Sequence, residues 1–331
     1  MKPGRFGLPS PGKLRLVFGM EWMPKILLGA ACCAALAGAV RADGERARIH
    51  DPSTLVEDGG SIWCFGSGNG IPIFKHAADG AWVNAGRVFA KVPEWHAKKI
   101  PGNNGFLWAP DIIRSGNMYY LYYSVSTFGS KVSAIGMAAS RRIDGGWEDR
   151  GEVMESGRAD GFNAIDPSML CDNDGRWWMT FGSYWTGIKL VELDPRTGMR
   201  KHPRDEPVAL AAAKEIEASY LYRHGGYYYL FVNHGQCCRG IYSTYEIVVG
   251  RSRDVRGPYL DAAGGKMLDG GGTLVIGSEG RYVGPGHASV FRKGGREWLA
   301  CHFYDKEMEG RPYLRVLPLR WSNKDWPEVV R

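Results

Sequence analysis

A turn glycine followed at once by a strand rich in aromatic and apolar residues occurs five times in this chain, and that repeat constrains the fold more than any other feature. The copies are Gly60-Ser-Ile-Trp-Cys-Phe, Gly116-Asn-Met-Tyr-Tyr-Leu-Tyr-Tyr, Gly175-Arg-Trp-Trp-Met-Thr-Phe, Gly226-Tyr-Tyr-Tyr-Leu-Phe-Val and Gly295-Arg-Glu-Trp-Leu-Ala-Cys. Successive glycines are 56, 59, 51 and 69 residues apart, a period of propeller type. Between them lie shorter strand candidates, among them Ala134-Ile-Gly-Met-Ala, Ile188-Lys-Leu-Val-Glu-Leu and Tyr245-Glu-Ile-Val-Val-Gly, each bounded by Gly, Pro or Asp turns. No long amphipathic helical pattern is present, and residues 209–215 have room for a short helix at most. Five units of about four strands each predict an all-β, five-bladed β-propeller. A pair of β-sandwiches is the alternative, but it needs a linker-like break in composition that the chain lacks.

In a propeller the first strand of each blade lies nearest the axis, so residues at one offset in every repeat converge. Just ahead of three of the turns stand Ile49-His50-Asp51-Pro52-Ser53, Ala164-Ile165-Asp166-Pro167-Ser168 and Ile216-Glu217-Ala218-Ser219. Their acids lie nine residues before Gly60, Gly175 and Gly226. The second copy reads Trp108-Ala109-Pro110-Asp111, with Ala109 in the carboxylate position, and the fifth reads Gly284-Pro285-Gly286-His287. The axis is therefore expected to receive Asp51, Asp166, Glu217 and His287.

Carboxylates gathered in a cleft with aromatic walls suit glycoside hydrolysis, which needs one proton donor for the leaving oxygen and one base or nucleophile at the anomeric carbon. A third acid pushes pKa values apart and helps keep the donor protonated. Trp63, Trp95, Trp108, Phe128 and Trp185 are candidates to stack on sugar faces. Filling the gaps between blades is the competing use for each of them, and Trp108 and Trp185 are the two best placed for the cleft.

The formal charge of +7 comes from 42 Lys+Arg against 35 Asp+Glu, and the excess is partly N-terminal. No basic run of nucleic-acid type follows, so a solvated surface is the reading and no nucleic-acid partner is expected. Residues 1–42 read as an N-terminal extension ending in a secretory signal. Lys25 precedes an apolar run from Ile26 to Val40, and Val40-Arg41-Ala42 provides a small-residue cleavage site. The run is too short to span a bilayer comfortably, so an extracytoplasmic protein with no membrane span is expected, and the catalytic domain would occupy 43–331. Cys64, Cys171, Cys237, Cys238 and Cys301 remain after cleavage. None has CxxC spacing, which argues against a zinc site, and the odd number leaves at least one free thiol. Cys237-Cys238 is open to two readings, a vicinal disulfide or a reduced pair.

Taken together, His50-Asp51-Pro52-Ser53, Trp108-Ala109-Pro110-Asp111, Ala164-Ile165-Asp166-Pro167-Ser168, Phe181-Gly182-Ser183-Tyr184-Trp185, Glu217-Ala218-Ser219 and Gly284-Pro285-Gly286-His287 resemble glycoside hydrolase family 43, and most of all its endo-α-1,5-L-arabinanases. Residues 233–240 and Ser243-Thr244-Tyr245 add to that likeness. The resemblance implies inverting hydrolysis of arabinan or arabino-oligosaccharides by a monomer without organic cofactor. Asp51 would be the general base, Glu217 the general acid, and Asp166 the group that raises and orients the acid. Trp108, Ala109, Ser183, Trp185 and His50 would contact the sugar, His50 being equally suited to brace Asp51. His287 matches a histidine that in these relatives lies beside an axial metal, commonly calcium, held mainly through water. A single histidine with no acidic calcium loop suits a buried structural role as well. An exo-acting arabinofuranosidase or β-xylosidase, or a non-catalytic sugar-binding propeller, are the alternatives.

Overall fold

The computed structural model describes residues 47–77 and 80–330, so the expected secretory segment lies outside the described residues. The chain enters through β1 (Val56–Asp58), β2 (Ser61–Phe65), β3 (Gly68–Asn69), β4 (Pro72–His76) and β5 (Trp82–Arg87). Of these, β1, β2, β4 and β5 form blade 1, while β3 joins the next sheet. A short helix, α1 (Trp95–Lys99), lies in the link to blade 2, which comprises β6 (Phe106–Ser115), β7 (Met118–Val125), β8 (Ser133–Ser140) and β9 (Glu148–Ser156). Blade 3 follows with β10 (Ser168–Cys171), β11 (Trp177–Phe181), β12 (Ile188–Leu193) and β13 (Val208–Ala211). Blade 4 holds β14 (Ile216–His224), β15 (Tyr227–His234), β16 (Glu246–Ser252) and β17 (Thr273–Ile276). Blade 5 closes the series with β18 (Tyr282–Lys293), β19 (Arg296–Asp305), β20 (Arg311–Trp321) and β21 (Pro327–Val329).

All pairings within the blades are antiparallel, and each repeat glycine sits in the hairpin between the first two strands of its blade. Gly60, Gly116, Gly175, Gly226 and Gly295 all have positive φ, which is why glycine marks the repeat. Residues 209–215 are not helical. Val208–Ala211 pairs instead with Ile188–Leu193, because the blade's fourth strand gains more from the ladder than alanines gain from a short helix.

Side-chain alternation turns the five sheets into a ring. In β11, Trp177, Met179 and Phe181 pack toward blade 2, whereas Trp178 packs toward blade 4. Every adjacent pair of blades shares one apolar cluster of this kind. The fifth cluster joins Ile49, Leu55, Phe74 and Trp82 of the first repeat to Phe291, Ala300 and Leu314 of the last. Among the described residues, blade 5 contains no strand from the first repeat. The ring is closed by that cluster and by a backbone bond from Leu314 N–H to the Ala47 carbonyl, 2.9 Å. Among the described residues no helix is long and apolar enough to cross a membrane.

Candidate active site

At the axial end of each repeat one residue turns left-handed: Asp51 (φ 49°), Ala109 (38°), Asp166 (57°), Ala218 (54°) and His287 (57°). For residues with a Cβ this conformation costs about 1–2 kcal/mol, so it persists only where tertiary contacts hold it. Here a side chain of the preceding blade accepts the N–H of each one. Ser67 Oγ accepts from Ala109 (2.8 Å), Ser124 Oγ from Asp166 (2.9 Å), Asp166 Oδ2 from Ala218 (3.0 Å) and Asn233 Oδ1 from His287 (2.8 Å). His302 Nδ1 accepts from Asp51 (3.1 Å) and completes the circuit between blades 5 and 1. Two residues on, Asp111 forms a lower tier, accepting from Thr54 N–H (2.9 Å) and Met169 N–H (2.8 Å). This buried carboxylate stitches three blades together and is structural.

The circuit corrects one detail of the sequence alignment. In blade 4 the left-handed residue is Ala218, so Glu217 stands one position earlier than Asp51 and Asp166. That left-handed turn lies within the register shift between Glu217 and Tyr220, as Ala109 and His287 lie within the matching shifts of blades 2 and 5, so Glu217 corresponds to Trp108 and Gly286. Glu217 therefore reaches the axis from a ladder position opposite Asn233, whereas Asp51 reaches it from the turn itself.

Each carboxylate has its own surroundings. Asp51 Oδ2 accepts from Ser67 Oγ (2.5 Å) and lies 2.8 Å from His50 Nδ1. Its Oδ1 faces His287 Nδ1 and His302 Nδ1, both at 3.6 Å. Burial alone would raise the pKa of Asp51, but these imidazoles, His50 foremost, more than offset it and hold the carboxyl far below its ordinary range. His50 is correspondingly raised, burial being outweighed by its carboxylate neighbour. Burial pushes Glu217 the other way, with a contribution from the Asp51 charge, although hydroxyls of Ser183 (2.7 Å to Oε2) and Tyr245 (to Oε1) moderate the rise. Asp166 is raised well above its usual value by burial and by repulsion from Glu217 and Asp51. The three acids thus feel one another, and Asp166 and Glu217 behave as a pair that resists double ionisation.

Which of that pair holds the proton follows from the partners. Asp166 Oδ2 takes a backbone N–H, a donor that cannot reverse. Glu217 has hydroxyl partners, which accept as readily as they donate. Charge is therefore best accommodated on Asp166 and the proton on Glu217.

Of the other candidates, His50 and Ser183 contact Asp51 and Glu217 respectively, and Ala109 belongs to the circuit. Trp185 is 47 % exposed and Phe128 85 % exposed, so both are free to meet a ligand, whereas Trp63, 7 % exposed, fills the gap between blades 1 and 2. Trp108 is half-buried, and Trp95 packs against the same cluster as Trp63. Cys237 and Cys238 form a vicinal disulfide, and Cys64, Cys171 and Cys301 are free.

Sequence reasoning missed Ser67, Tyr245, His302 and Tyr304. One signal was available for Ser67, because Phe65-Gly66-Ser67 repeats Phe181-Gly182-Ser183, and both serines donate to an axial carboxylate. Gly286 carries another: a Cβ there would meet the Tyr245 ring at 2.3 Å, so glycine lets that ring lie against the last blade and reach Glu217.

The axial metal implied by the family has a donor set worth testing. His287 is buried with its pKa lowered by that burial, hence neutral and able to offer a lone pair. It borders an axial cavity of about 10 Å³ together with Ser168 and Ser219, whose buried hydroxyls have no partner. That volume holds about one water. With the Asp51 carboxylate 3.6 Å from His287 Nδ1, these groups fit a hard cation held mostly through water.

Comparison with known proteins gives this geometry a family. The model of "Glycosyl hydrolases family 43" matches residues 46–327. The chain belongs to glycosyl hydrolase family 43. An extracellular exo-α-(1→5)-L-arabinofuranosidase of Cellvibrio japonicus is 39 % identical over 93 % of this chain and 92 % of its own. The extracellular endo-α-(1→5)-L-arabinanase 1 of Bacillus subtilis is 39 % identical over 84 % of this chain and 87 % of its own. Among family 43 structures, that of the Cellvibrio cellulosa α-L-arabinanase complexed with arabinohexaose superposes with a TM-score of 0.81 at 38 % identity, covering 86 % of this chain and 96 % of that one. The likeness to a family 43 propeller extends around the whole ring.

Proposed function

We propose that this chain is an exported, inverting glycoside hydrolase that cleaves internal α-1,5-L-arabinofuranosidic bonds of arabinan. One observation carries the chemistry: two carboxyls at one axis have opposed surroundings, Asp51 among three imidazoles that favour its charge and buried Glu217 among hydroxyls. Opposed environments of this kind separate a base from an acid. The substrate follows from relatives named for α-1,5-arabinan chemistry and from a neighbour holding arabinohexaose. Export follows from the secretory pattern of residues 24–42 and from two relatives named extracellular.

In this reading Oδ1 of Asp51 takes the proton of a water whose oxygen attacks the anomeric carbon. The bond to the leaving oxygen breaks in the same step, and Glu217 gives that oxygen its proton. Ser67 and His50 occupy Oδ2, which supports Oδ1 as the oxygen that meets water. Asp166 stays charged beside Glu217 and keeps the acid's proton from dissociating early. An axial cation, held by His287 and through water by Ser168 and Ser219, would add a fixed positive charge under the cleft.

Endo action is tested by the products of linear α-1,5-arabinan followed over time. A spread of oligomers with early loss of viscosity is expected. Short products of one length released from chain ends would favour the exo reading, which the Cellvibrio japonicus relative supports. No product at any pH would overturn the assignment.

A further inference from the structure

The loop between β15 and β16 brings the vicinal disulfide to the catalytic base. Cys238 is left-handed (φ 64°), and its N–H donates to the hydroxyl of Tyr304 at 2.7 Å. The same hydroxyl lies 2.8 Å from His50 Nε2, and His50 Nδ1 lies 2.8 Å from Asp51 Oδ2. Cys238 Sγ is itself 3.9 Å from His50 Nε2, and the His50 ring stacks on His302 with centroids 4.3 Å apart. An unbroken chain of contacts therefore runs from the disulfide through Tyr304 and His50 to the carboxylate.

The direction of each bond is set by chemistry. Ionised Asp51 only accepts, so His50 Nδ1 carries a proton toward it. His50 Nε2 then faces a hydroxyl that has one proton to give and lone pairs to take, so the arrangement holds whichever protonation state His50 adopts. The backbone N–H of Cys238 can only donate, and it anchors the Tyr304 oxygen. Buried Tyr304 needs that anchor, because a phenol ring fixes the direction of its C–O bond but leaves the proton free to rotate. The disulfide ties adjacent side chains into a small ring containing their peptide unit, so the Cys238 N–H cannot turn away independently.

The geometry points to Tyr304 and the Cys237–Cys238 disulfide as a positioning brace for the base: they hold His50, and through it the orientation of Asp51. Neither touches the reacting atoms, so their effect falls on turnover more than on substrate affinity. The inference rests on the assignment of Asp51 as base. Opening the brace takes a dithiol reductant, which closes to its own cyclic disulfide while the cystine gains two electrons and two protons.

The test measures kcat and KM of the full chain on a linear α-1,5-arabino-oligosaccharide, before and after dithiothreitol, with alkylation and peptide mapping to confirm that both thiols have opened. Misplacement of a catalytic group by a fraction of an ångström is costly, so kcat is expected to fall about tenfold with KM within about twofold, and to recover on reoxidation. Tyr304→Phe should show the same lowered kcat and no further response to reductant. The double variant Cys237→Ala/Cys238→Ala, with folding confirmed by its thermal transition, should match the reduced protein. Unchanged kcat with both thiols alkylated, or a Tyr304→Phe protein still sensitive to reductant, would overturn the brace. Absence of turnover by the oxidised wild-type protein would instead count against the hydrolase reading itself.

Discussion

Asp166 and Glu217 are buried acids held against their ordinary ionisation, and that tension is where residue-scale chemistry and stability meet. A carboxyl whose folded pKa is raised contributes stability below its unfolded pKa and loses it as pH climbs through the folded value. At neutral pH an ionised Asp166 therefore works against the fold. Asp166→Asn keeps an oxygen for the Ala218 N–H and removes the charge, so its melting temperature at pH 7 should rise by about 2 °C or more while turnover falls at least about 100-fold. Calorimetry and initial rates check the two halves together. Asp51 has the opposite sign: its depressed pKa stabilises the fold above the unfolded carboxyl value, and that contribution is lost as the solution becomes strongly acid. For catalysis, the base should stay competent into acid solution, while the alkaline limb of the pH–rate profile should report Glu217 above the usual carboxylate range. Asp51→Ala and Glu217→Ala should each lower kcat by about 100- to 10,000-fold. Asp51, Asp166 and Glu217 were legible in sequence because a turn glycine follows each at fixed distance. His302 was not, since a lone histidine inside Cys301-His302-Phe303 looks like any strand residue until the ring closes and brings Asp51 to it.

At the scale of elements, the five left-handed turns and their caps define the site. Ser124→Ala would leave the buried N–H of Asp166 without its acceptor, at a cost of about 1–3 kcal/mol in denaturant unfolding. Ala218→Gly relieves the backbone conformation but gives up one buried methyl, so it should change stability by less than about 1 kcal/mol, whereas a β-branched residue there should destabilise. The repeat strands were readable because an aromatic run after a turn glycine has few other uses. The one-residue displacement of Glu217 was not, because the left-handed residue stands nine positions before the turn glycine at Asp51 and Asp166 but eight before it at Ala218, and counting back from the glycine hides that difference. Residues 209–215 had room for a short helix at most: alanine favours helix, but so short a segment does not hold one alone, and a free sheet edge beside it decided the matter.

For the whole molecule, closure is the vulnerable step. Among the described residues the ring is joined between its first and last blades by side chains and one backbone bond to Ala47, without a shared strand. Leu314→Ala opens a cavity at that seam and should cost about 2–5 kcal/mol, read as a lowered denaturant midpoint. Such a seam was only partly legible: the sequence supplied five units, but a count of repeats does not say how the last meets the first. The seam also carries contacts of the proposed site, because His302 and Tyr304 on blade 5 bond to Asp51 and His50 on the first repeat. Opening it would be expected to abolish catalysis before the blades themselves unfold. Whether Asp51 and Glu217 carry out a single displacement on arabinan shows in the anomeric configuration of the first product. Proton NMR of α-1,5-arabino-oligosaccharide hydrolysis, recorded before mutarotation, should show the β-anomer of the new reducing end appearing first. First appearance of the α-anomer would mean retention and would contradict the assignment of Asp51 as a water-activating base.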